Sequence, residues 1–182
     1  MNTQRILAAI GRGLIAGLAG TAAITISSTI EMKLRKRPAS TTPGKVGGKV
    51  LGVKPRNQEG MKRFSNAIHW DYGMSWGLFL TVTDLLGMQQ TPASIAHFAT
   101  VWGAALAILP AADAAKPITE WSTEEIAIDI LHHALYAAAA GLTYNALLPS
   151  NENTEESEFW DSIEFLKSQE YGIGVSEDFE HA

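Results

Sequence analysis

Four stretches of the chain are apolar and nearly free of charge: residues 13–32, 66–83, 93–112 and 126–148. A helix needs about 20 residues, at 1.5 Å each, to cross the hydrocarbon of a bilayer. All four stretches reach or approach that length, so the pattern predicts four membrane-spanning helices. The competing reading is a soluble bundle of Ala-rich helices. It fails on two counts: no stretch carries the charged opposite face that a soluble surface helix shows at a period of 3.6, and small residues recur at the four-residue spacing of close helix contact, at Gly13 and Gly17 and again at Gly73 and Gly77. A cleaved signal peptide at residues 13–32 is disfavoured too, since the basic cluster follows this segment rather than preceding it. Arg12 and the polar run from Thr21 to Thr29 fit a spanning helix less well than the rest.

Charge sharpens the pattern by where it falls. Of 14 Lys and Arg, 10 lie between Lys33 and Arg63; of 19 Asp and Glu, 10 lie after Pro149. The expected fold is therefore all-α: a four-helix transmembrane bundle over residues 1–149, with a basic cytoplasmic loop at 33–63 and an acidic C-terminal tail at 150–182. The excess of basic residues puts the loop on the cytoplasmic side and both the N-terminus and the tail outside. Within the loop, Thr42-Pro43 predicts a helix start. Arg35, Lys36, Arg37, Lys45 and Lys49 are the expected contacts to anionic lipid headgroups. Nucleic acid is not an expected partner, because neither an aromatic platform nor a binding motif accompanies the basic residues. In the tail, residues 158–169 carry Phe159, Ile163 and Leu166 at the spacing of a short amphipathic helix.

Ionisable side chains inside apolar segments are costly and so mark candidate sites. Alternation of the four helices puts Glu31, His69, Asp71, Asp129, His132 and His133 in one leaflet and leaves His97 near the other end. Asp129, His132, His133 and Tyr136 share one helical face. Together with Glu31 and His69 they form a candidate polar cluster, open to three interpretations: a hydrogen-bonded network that packs helices, a proton or solute path, or a metal or haem site. The metal candidates are His69, Asp129 and His133, since imidazole and carboxylate suit zinc, iron or manganese. A bundle di-iron site would need two Glu-x-x-His helices and two further Glu, and a single Asp-x-x-His is present. No cofactor is therefore the expectation. With no cysteine, disulfides, thiolate sites and cysteine nucleophiles are excluded, and there is no nucleophile elbow, phosphate loop or His-Glu-x-x-His. A weak internal repeat relates His69-x-x-Tyr72-x4-Gly77 to His133-x-x-Tyr136-x4-Gly141.

The motifs Gly17-x-x-Gly20-Thr21, Glu31, Pro38-x-Ser40, Asn66-x-x-His69-Trp70-x-Tyr72-Gly73-x-x-Trp76-Gly77, His97-Phe98-x3-Trp102-Gly103-Ala104 and Asp129-x-x-His132-His133-x-x-Tyr136 resemble uncharacterised small bacterial membrane proteins, distantly the YagU-like inner-membrane family. The likeness covers about residues 10–148. It implies a multi-pass protein of the bacterial inner membrane and supplies no activity. The expected role is a non-enzymatic accessory or scaffolding subunit that associates with other membrane proteins. The alternatives are a metal- or haem-binding membrane protein and a small transporter or channel component.

Overall fold

A computed structural model describes residues 3–149. Among them every regular element is helical: α1 (Thr3–Leu34), α2 (Thr42–Leu51), α3 (Gln58–Trp76), α4 (Leu78–Leu85), α5 (Gln90–Ala111) and α6 (Thr123–Ala146), with a 3₁₀ turn at Ile118–Glu120 before α6. The expected tail helix at 158–169 lies outside the described residues.

Helix ends follow local chemistry. Asn57 caps α3 by accepting from the Gly60 amide at 2.7 Å. Ser122 and Glu125 form a reciprocal capping box that starts α6. Pro43 sits in the first turn of α2, as the loop sequence predicts, and Gly52 ends that helix at φ 65°, a left-handed conformation that glycine adopts without strain.

Three helices, α1, α5 and α6, are long and apolar enough to cross a membrane. The stretch expected as the second span differs. Residues 66–83 fall across α3 and α4, which meet at Gly77. There the ladder tightens: the Gly77 amide donates to the Met74 carbonyl and the Leu80 amide to the Gly77 carbonyl, both at 3.1 Å and both three residues apart. The Gly73 carbonyl, released from its usual partner, accepts instead from the Tyr136 hydroxyl on α6 at 2.6 Å. A break of this kind is tolerated where a neighbouring helix takes up the freed group.

α1 is central, packing against α6 on one side and α3 and α4 on the other. The α1–α3 contact is backbone against backbone. A Cβ on Gly17 would land on the Met74 backbone, and one on Gly77 would strike Gly13 and Gly17. Of the two four-residue glycine pairs predicted to mediate close contact, Gly77 thus meets Gly13 and Gly17, and Gly73 meets Thr21. Burial is inverted relative to a water-soluble bundle. The interior holds small and polar residues, among them Ala9, Arg12, Ala16, Thr21, His97 and Ala140, whereas Leu7, Ile15, Ile26, Ile30, Ile95 and Leu142 are exposed.

Candidate functional site

Polar side chains gather at both ends of α1 and along the core face of α6. At the Arg12 end, three helices converge on one carboxylate. Arg12 Nη2 from α1 lies 3.1 Å from Asp84 Oδ2 at the end of α4, and the Tyr144 hydroxyl of α6 donates to the same oxygen at 2.8 Å. The guanidinium also lies over the Tyr144 ring, 5.7 Å from its centroid. Arg12 is 9% exposed and its Nε has no hydrogen-bond partner. Thr81 of α4 donates to the Ala9 carbonyl at 2.8 Å, which holds α4 against α1 beside the triad.

This triad was not among the residues singled out from the sequence. Arg12 stood out as a charge at the edge of the first apolar stretch, but Asp84 falls one residue beyond the second. The legible signal was the pair of opposite charges at matching ends of two antiparallel segments.

At the Glu31 end the candidate cluster is divided into separate contacts. Glu31 is chelated by Arg37 through both carboxylate oxygens and lies 3.5 Å from Arg35, which also reaches Glu124 at 3.1 Å. The Glu31 carboxylate holds the Arg37 guanidinium above its ordinary pKa. His69 Nε2 lies 2.9 Å from Thr25 Oγ1. The Thr25 hydroxyl spends its proton on the Thr21 carbonyl at 2.6 Å, so His69 donates through Nε2–H. His132 Nδ1 pairs with Ser27 at 2.8 Å, while its Nε2 is buried and unpartnered. His133 Nδ1 is 2.9 Å from the Asp129 carbonyl, which can only accept; His133 is therefore protonated at Nδ1. The Asp129 carboxylate accepts from Trp102 Nε1 of α5 at 2.9 Å.

His69 and His132 approach α1 at Thr25 and Ser27, two residues and about 200° apart around the helix. α1 thus stands between them. Of the metal candidates, His133 Nδ1 lies 3.5 Å from an Asp129 carboxylate oxygen while His69 stands apart, and among the described residues no three His, Cys, Asp or Glu form a group that could hold a metal ion. Of the residues expected to converge, Glu31 lines one crevice with His132, and Asp129 adjoins His133, while His69 bonds Thr25 on another side of α1. The repeated motif also diverges in its environment: Tyr72 is exposed, Tyr136 buried.

Above this level Tyr136 crosses α1 at Gly20, where a Cβ would meet the Tyr136 ring. That passage lets an α6 hydroxyl reach the Gly73 carbonyl on α3. His97, fully buried on α5, stacks on Phe79 at 5.7 Å between centroids and lies 5.5 Å from the Tyr136 ring. Neither of its ring nitrogens has an aligned hydrogen-bond partner.

The expected headgroup contacts fare unevenly as free cations. Arg35 and Arg37 are engaged as above, and Lys49 of α2 pairs with Asp113 at 2.6 Å. Lys36 and Lys45 are exposed. α2 lies on α3, with the Gly44 amide donating to Ser65 Oγ at 3.0 Å and Gly47 against Ile68, and it leaves Val50 and Leu51 outward. A crevice of about 320 Å³ opens between the end of α1 and the start of α6, lined by Ile30, Leu34, Ile128, Leu131, Arg35 and His132.

No family model, curated protein or solved structure matches this chain.

Proposed function

We propose that the chain is a multi-pass subunit of a membrane protein assembly, non-enzymatic, with α3 and α4 together serving as a fourth, kinked membrane segment. This reading includes the bacterial inner membrane, the resemblance to YagU-like proteins, a cytoplasmic loop at 33–63 and an external N-terminus. Two patterns support the membrane setting: three long apolar helices, and large aliphatic side chains turned outward around a core of small and polar residues. Lipid solvates the former, and helix contact in membranes uses the latter.

The observation that carries the accessory role is the uncovered face of α3. α3 packs on α1 and on α2, yet Ala67, Asp71 and Ser75 are exposed on the side turned away from α1. Polar groups at that position are poorly served by lipid and well served by another helix. A photoreactive residue placed at Ser75 in cells should form an adduct with a second protein, whereas one at Ile95, on the aliphatic surface of α5, should label lipid. Lipid labelling from both positions would refute the assembly role.

A solute or proton path is the second reading. It is favoured by one observation, the buried line of His132, Tyr136 and Tyr144 along α6 beside the unpartnered His97. Proton uptake by vesicles holding the purified chain, compared with a His97→Phe variant, tests it directly.

A further inference from the structure

The register of α3 on α1 assigns a depth to Asp71. His69 bonds Thr25, Gly73 abuts Thr21, and Gly77 abuts Gly17. Each pair of residue numbers has the same sum, as antiparallel helices in fixed register require. Asp71 is therefore level with Ala23 of α1, near the midpoint between Arg12 and Glu31, the charges that bound the uncharged middle of that helix. The offset from that midpoint is within about 3 Å at the helical rise.

Asp71 points away from α1 and is exposed. Among the described residues its carboxylate has no hydrogen bond or ion pair; the contact of Ser75 Oγ is to the Asp71 backbone carbonyl, at 2.7 Å. Ala67 and Ser75 flank it at four residues on either side of the same face, small enough to let another helix approach closely. α2 covers the adjoining face of α3 at Met61, Ser65 and Ile68 and leaves Ala67, Asp71 and Ser75 exposed. An unpaired carboxylate at mid-depth is among the costliest groups to leave in lipid.

From this we infer that the Ala67–Asp71–Ser75 strip of α3 is the docking surface for a transmembrane helix of a different protein, one that carries a basic side chain near the middle of its span. The inference rests on the membrane-subunit reading above. Charge decides the nature of the partner. A second copy related by an axis along the membrane normal would bring Asp71 against Asp71, like against like. Nor do the described helices supply a cation at that depth, since α1 has no Lys or Arg between Arg12 and Lys33, and α4, α5 and α6 have none at all. A carboxylate paired with a buried guanidinium already occurs here, at Asp84 and Arg12, so this bundle uses such pairs to join its own helices.

The test uses the full chain in phosphatidylcholine vesicles with a fluorescent donor, and three synthetic Leu/Ala membrane-spanning peptides carrying an acceptor. One has a single central Arg, one a central Leu, and one an Arg moved two turns toward its end. The central-Arg peptide should associate about tenfold more tightly than either of the others, a difference of about 1.4 kcal/mol. Asp71→Leu should abolish that preference and Asp71→Glu retain it. Equal association of the three peptides, or an unaltered preference in Asp71→Leu, overturns the proposal. So does Asp71-dependent energy transfer between two labelled copies of the chain, which would make the occupant a second copy. Should the peptides fail while Ser75 still crosslinks to another protein in cells, the basic partner falls and the subunit role survives. If Ser75 labels lipid alone, both fall.

Discussion

The two sides of α3 are built on opposite rules. Toward α1 it presents Gly73 and Gly77; at Gly77 the helices touch through their backbones, and at Gly73 the Thr21 side chain closes the gap. Away from α1 it presents Asp71 and Ser75 to no described neighbour. The first side has no room for a single additional carbon; the second has room for an entire helix. One segment can thus be locked to its own chain and still available to another, and its intolerance of change should be confined to one side.

The largest effect is expected where backbone meets backbone. Gly77→Leu would drive a side chain into Gly13 and Gly17 and should cost at least about 3 kcal/mol, since overpacking against main chain has no rotamer escape. Gly103→Leu on α5, where an added Cβ meets nothing, should stay within about 0.5 kcal/mol. Unfolding of both variants in mixed detergent micelles measures the contrast; similar losses would mean that the close approach is not what holds α3.

Arg12→Leu comes next. It strands the Asp84 carboxylate, 17% exposed at its side chain, and should cost about 3 kcal/mol. The double variant Arg12→Leu with Asp84→Leu should regain much of that loss, because no buried charge remains. A double variant as unstable as the single would assign the loss to packing.

Tyr136→Phe removes the hydroxyl that serves the Gly73 carbonyl at the break. The expected loss is about 1 kcal/mol, in the range of interhelical hydrogen bonds within bilayers. Amide exchange at Gly77 should rise with it, since the break would lose its support from α6.

A smaller and local effect belongs to α2. Lys49 holds the Asp113 carboxyl below its ordinary value of 3.8. A carboxyl with a depressed pKa adds stability above its unfolded pKa and loses it as pH falls through the folded one. Protection of α2 from proteolysis should therefore be constant at neutral pH and fall below pH 3.8, and Lys49→Ala should remove that dependence. The pair is solvent-exposed, so raised salt should mimic the substitution.

The smallest effect sharpens the comparison most. Asp71→Leu should leave the stability of the isolated chain unchanged within about 0.5 kcal/mol, because its carboxylate has no hydrogen bond or ion pair among the described residues. A loss comparable to that of Gly77→Leu would show that the outward side of α3 is part of the fold.

Much of this architecture was legible in residue order because it depends on spacing alone. The apolar lengths of α1, α5 and α6 mark them as candidate spans; Gly13 with Gly17 and Gly73 with Gly77 announce close contact; Thr42-Pro43 announces α2. Each of these is a property of one segment. The site was less legible. A helical wheel puts Asp129, His132, His133 and Tyr136 on one side of α6 without naming what they face. Only packing decided that Ser27 takes His132 and Thr25 takes His69 on opposite sides of α1, which divides a cluster that depth alone had united. Only packing brought Asp84 to Arg12 and Tyr144, because a salt bridge between α1 and α4 requires the register set by glycines a turn or more away. The break at Gly77 was decided in the same way. Glycine permits a change of ladder at any position, but the carbonyl it frees needs a donor, and Tyr136 reaches it only by passing over Gly20 from another helix.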